Sequence, residues 1–177
     1  MYLHSTKRKN AGTSLAEAMV YIALLVIIFA GIVRGVFMLS TSYRNVKTYR
    51  SIESSAVSSM DRMVREIRNA TDVNTAQTSY GISAGSLALN SINASGTAST
   101  VRFYVSTSTS RLYLEENGVN VGPLTPSNVI VSNLTFRSFS TSTVSAVKIE
   151  MTVASASSSS VFFSRNFYGT ALLRGSY

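Results

Sequence analysis

From Ala18 to Val33 the chain runs for sixteen residues without a charge, and Ile, Leu, Val, Met and Phe fill most of that run. With Thr13–Ala16 before it and Gly35–Leu39 after it, the apolar-tolerant region exceeds twenty residues. That is enough helix to cross the roughly 30 Å hydrocarbon core of a bilayer. The run is too long and too late for an ordinary secretory signal, and no Ala-x-Ala site follows it. Removal of the run is therefore not expected, whereas a cut ahead of it stays open. Just before the run stands a carboxylate, Glu17, for which a plain anchor has no use. Lys7, Arg8 and Lys9 precede the span, and Arg34, Arg44, Lys47 and Arg50 follow it, so the distribution of positive charge does not by itself settle the topology.

Beyond the span the pattern changes to that of an amphipathic helix. Val46, Tyr49, Ile52, Ala56, Met60, Met63, Val64 and Ile67 fall within about 120° of one another at a helical period. Arg44, Lys47, Arg50, Asp61, Arg62, Arg65 and Arg68 lie on the other side, with Asp61 and Arg65 spaced as an i,i+4 pair. No proline interrupts residues 13–70. We read one helix of about 58 residues, or about 87 Å at 1.5 Å per residue. Gly31 and Gly35 have the spacing of a small-xxx-small contact, and Arg34 between them favours packing or flexibility over a dimer motif. The Met and Ile stripe predicts a face packed on a sheet.

After Asp72 the composition shifts to Ser, Thr, Asn and Gly with short β-prone runs. Strands are predicted at Ser86–Asn90, Thr100–Ser106, Arg111–Glu115, Val129–Phe139, Ala146–Val153 and Val161–Tyr168. Val101, Phe103 and Val105 alternate with more polar residues, as do Val147, Ile149 and Met151, so one face of each strand should be buried. Asn117-Gly118 between two apolar runs predicts a type I′ hairpin. Gly122-Pro123 and Pro126 predict a loop, and the serines of 155–160 a hairpin tip.

The chain has no cysteine and one histidine, His4, which removes disulfides, thiolate metal sites and most His-dependent catalysis. Its eight carboxylates form no recognised catalytic or calcium-binding pattern, and no Gly-rich phosphate loop or aromatic-basic RNA motif is present. No enzymatic activity, metal or cofactor is expected. The formal charge of +8 suggests an anionic partner, but Lys7, Arg8 and Lys9 supply part of it. Without those three, thirteen basic residues face eight acidic ones, a surplus of five that a solvated surface accommodates equally well.

"KRKNAG" followed by "TSLAEAMVYIALLVIIFAGIV" resembles the prepilin leader of type IV pilins and type II secretion pseudopilins. In that family a short basic leader ends in glycine, and a glutamate stands fifth in the mature chain. The resemblance implies cleavage between Gly12 and Thr13, N-methylation of Thr13 and an assembly role for Glu17. "MDRMVREIRNAT", "NVIVSNLTFRSF", "AVKIEMTV" and "FSRNFYGTALLRGS" are similar, more diffusely, to J-type and W-type minor pilins. Thr13 departs from the phenylalanine common at the cleavage site, and the absence of cysteine removes the disulfide-bounded loop of many major pilins.

The expected fold is therefore α+β and pilin-like, a long N-terminal helix packed on an antiparallel sheet. It divides into a cytoplasmic leader (1–12), a transmembrane and filament-core helix (13–39), an amphipathic half (40–72) and a β head (73–177). Lys7, Arg8 and Lys9 would hold the leader on the cytoplasmic side, leaving the head outside the cytoplasmic membrane of a bacterial cell. Implied partners are other pilin or pseudopilin subunits, the prepilin peptidase, the inner-membrane assembly platform and the membrane itself. Two alternatives stay open. One is a single-span surface-anchored binding protein. The other is a DNA-uptake pilus subunit that uses Arg44, Lys47, Arg50, Arg62, Arg65 and Arg68.

Overall fold

The computed structural model describes residues 14–92, 95–140, 145–156 and 162–174. One helix, α1 (Leu15–Asn69), is followed by eight strands: β1 (Asp72–Val73), β2 (Ser86–Ile92), β3 (Ala98–Val105), β4 (Leu112–Glu116), β5 (Val119–Pro123), β6 (Val129–Ser140), β7 (Ser145–Ser155) and β8 (Ser164–Leu172). The fold is α+β with antiparallel sheets. The chain divides into two compact units, Met1–Arg44 and Asn45–Tyr177.

In the first unit α1 begins where the Ser14 carbonyl accepts the Ala18 N–H at 3.1 Å. Its most apolar stretch has a mean hydropathy of 2.7, and none of that stretch is buried. Leu15, Met19, Leu25, Ile28, Phe29 and Phe37 all stand open. So large an uncovered apolar surface marks a segment meant for lipid or for another protein chain.

In the second unit β1–β5 form a five-stranded meander in chain order and β6–β8 a three-stranded one. A single sheet was the sequence expectation. The alternating patterns identified which face of each strand is apolar, but alternation carries no information about which strands pair. Ile52, Ala56, Met60, Met63 and Ile67 of α1 enter one core with Leu87, Phe103 and Leu112 of the first sheet and Leu134, Phe136 and Ile149 of the second. The helical stripe thus serves both sheets at once.

Its upper members fall short of expectation. Val46 is 52% exposed and Tyr49 40% exposed. Tyr49 packs edge-on against Phe163 at 6.1 Å and receives a hydrogen bond from Arg165 at 2.6 Å, so it caps the rim of the core. Ser59 joins the buried face instead, its hydroxyl making no hydrogen bond among the described residues.

Two strands were not foreseen. β1 is two residues long, and β5 runs through the Gly122-Pro123 pair that the sequence assigned to a loop. Pro123 is tolerated because β5 is an edge strand, where a missing N–H breaks no ladder. The Asn117-Gly118 turn forms as expected, with φ of 51° and 80°, the two positive values a type I′ turn requires.

The sheets are stitched together by the segment before β2. Gly81 N–H donates to the Phe136 carbonyl and Gly85 N–H to the Leu134 carbonyl, each at 2.9 Å, and Tyr80 bridges Phe136 in parallel. A Cβ on Gly85 would meet three backbone oxygens at 3.1–3.2 Å, so a side chain there would press on the stitch and make those oxygens give by a few tenths of an ångström.

A second glycine sets how closely β8 approaches α1. Gly169 pairs with Ile149, and a Cβ built on it would lie 2.6 Å from the Met60 terminal methyl. Gly169→Ala should be absorbed by rotation of that flexible thioether. Gly169→Leu should overpack the interface and cost about 1–3 kcal/mol. Urea unfolding of the micelle-solubilised full chain would measure it, and equal midpoints for the leucine variant and wild type would refute the close-approach argument.

Candidate functional site

Glu17 lies in the first turn of α1, where the exposed N–H groups of a helix start favour negative charge. Four residues on, Tyr21 lies on the same helical face. Helical side chains lean toward the N-terminus, so the Tyr21 ring reaches back over Glu17. Its hydroxyl donates to Glu17 Oε1 at 3.1 Å. The surrounding face is apolar, with Val20 and Leu24 among the exposed side chains. Chemically this is a carboxylate with one oxygen engaged by a phenol and the other open to a further donor, on a surface left exposed among the described residues.

The sequence singled out Glu17 but not Tyr21. The signal for Tyr21 was present: an O–H donor at i+4 from the one carboxylate of the apolar segment. Lys7, Arg8, Lys9, Gly12 and Thr13 lie outside the described residues.

The remaining carboxylates are spent on structure or left in solvent. Arg62 Nε lies 2.9 Å from Glu66, and its terminal nitrogen 3.1 Å from Glu116. This replaces the anticipated Asp61–Arg65 pair, which does not form among the described residues. Engaged by both carboxylates, the Arg62 guanidinium is withdrawn from the basic face proposed for nucleic acid. Arg165 takes Glu53 at 2.8 Å and Arg102 approaches Glu115 at 3.7 Å. Lys148 at 2.8 Å, together with Arg137, holds the Glu150 carboxyl below the usual carboxylate range.

A polar cleft of about 300 Å³ opens between Asn74, Gln77, Arg102, Glu115 and Asn117 on the outer face of the five-stranded sheet. Its one guanidinium and one carboxylate offset each other. Among the described residues, no three of His, Cys, Asp and Glu gather closely enough to hold a metal. Comparison with protein-family models, with curated proteins and with solved structures gives no match for this chain.

Proposed function

We propose that the chain is a minor pilin or pseudopilin, cut after Gly12 by a prepilin peptidase and assembled into, or priming or capping, a type IV pilus or type II secretion pseudopilus. The observation that carries this reading is Glu17: a lone carboxylate at the start of an uncovered apolar helix, five residues after Gly12 and a basic leader. A carboxylate in such a surface is costly in lipid, roughly 2.5–3.5 kcal/mol at a bilayer centre and less near its edge. It becomes useful when a cationic partner meets it away from water. Cleavage after Gly12 creates such a cation, the new α-ammonium of Thr13, on every subunit.

The span then stays in the cytoplasmic membrane with its N-terminus on the cytoplasmic side until the subunit enters the filament. Lys7, Arg8 and Lys9 support that orientation. The role is structural: the chain supplies a helix to a filament core and a β head to its exterior, and catalysis of the cut belongs to the peptidase.

Intact-mass analysis after expression beside a prepilin peptidase tests the reading. The expected product begins at Thr13. Gly12→Leu places a branched side chain where an extended backbone must enter the protease, and should leave the precursor as the dominant species. A native product that begins at Met1, or normal cutting of the leucine variant, would count against the assigned site.

A further inference from the structure

We propose that Tyr21 is the positioning residue for the Glu17 carboxylate, holding it ready for the ammonium of a second subunit. This rests on the assembly reading above and adds a residue to it.

From Ala18 to Val33, Tyr21 is the one side chain with an O–H or N–H donor. It stands four residues after the one carboxylate of that apolar segment, and the two are joined at 3.1 Å. Of the two other hydroxyls within a turn, that of Ser14 makes no bond to Glu17 among the described residues, and Thr13 lies outside them. In water such a bond adds little, because solvent competes for both groups. In lipid or a filament core the competition is gone, and the phenol becomes the donor that the carboxylate's own helix provides.

Position matters as much as strength. A glutamate near a membrane edge can swing its headgroup toward the polar interface. The Tyr21 bond ties Oε1 back along the helix, over the turn between residues 17 and 21. Oε2 is left to accept a charge-assisted bond from an incoming ammonium. Part of the ordering that the ion pair needs is therefore complete before the partner arrives. Tyr21 is 59% exposed, and among the described residues the hydroxyl bonds to Glu17.

Tyr21→Phe removes the hydroxyl and keeps the ring. In the full chain reconstituted in bilayers, the carbonyl-carbon NMR signal of a Glu17 side chain labelled with ¹³C should shift in the phenylalanine variant. An unchanged signal would overturn the bond. In cells, cleavage after Gly12 should proceed normally, and incorporation into filaments in competition with wild type should fall about tenfold. In a Glu17→Asp background, where the carboxylate is retracted by one methylene, Tyr21→Phe should cause no further loss.

If Glu17→Val impairs incorporation while Tyr21→Phe incorporates like wild type, the positioning role is refuted and the assembly reading stands. If Glu17→Val itself incorporates normally, the assembly reading fails. Loss of cleavage in Tyr21→Phe would assign the residue to peptidase recognition and overturn the positioning role.

Discussion

Glu17→Val should leave cleavage after Gly12 intact and reduce filament incorporation about a hundredfold or more. Valine suits the lipid better than glutamate does, so the variant subunit should insert at least as well as wild type. On the assembly reading proposed above, the deficit should appear only on assembly, where the ammonium of a neighbouring subunit would enter a site with little water and find no counter-charge. Removing one member of a buried pair costs about 3–5 kcal/mol, and each 1.4 kcal/mol is tenfold in an equilibrium. Quantifying variant and wild-type subunits in sheared filaments, against the membrane pool, measures this directly. Filaments that take up the valine subunit as readily as wild type would remove the ion-pair argument. Glu17→Asp should fall between the two, because its carboxylate persists on a shorter stem.

The second large effect belongs to the head. Phe136→Ala should cost about 3–5 kcal/mol of folding free energy, much of the margin of an ordinary domain. Phe136 is fully buried in β6 opposite Ile149, and its carbonyl receives the Gly81 N–H. Its truncation therefore opens a cavity beside the stitch that joins the two sheets. Urea unfolding of the micelle-solubilised chain should show a lower midpoint with an unchanged slope. Amide exchange should rise at Gly81 and Gly85 more than at the Asn117-Gly118 hairpin, which is closed by local contacts of its own. A loss below about 1 kcal/mol would mean that the site collapses around the smaller side chain, contrary to the close packing described above.

The fates of individual residues show where sequence reasoning reached and where it stopped. Ile52, Ala56, Met60, Met63 and Ile67 were assignable to the core because a helix repeats every 3.6 residues and their spacing follows it. Val46 follows the same spacing and is exposed, because periodicity records a face and not how far along that face a partner extends. Arg62 belonged to a solvent-facing basic set on periodicity alone. Glu116, fifty-four residues away in the chain, draws it out of that set, and no local pattern encodes that approach. Pro123 read as a loop residue because proline breaks ladders, and only the edge position of β5 removes the penalty.

At the candidate site the balance differs. Glu17, the apolar run and the order of residues from Lys7 onward are properties of the sequence alone, since a continuous helix needs no tertiary partner to place i and i+4 together. The Glu17–Tyr21 contact was implicit in that spacing, and the side-chain geometry gave it a distance and a donor. In the head, the sequence determined six of the eight strands, the buried faces of β3 and β7 and the hairpin at Asn117-Gly118, because those depend on backbone period and on the positive φ that Asn and Gly accept. Only the tertiary structure decided that eight strands divide into two sheets, that Gly81 and Gly85 join them, and that Gly169 lets β8 approach Met60. Those outcomes depend on which distant surfaces meet, and a meeting of distant surfaces is settled by packing and by backbone hydrogen bonds between segments, not by the preferences of either segment taken singly.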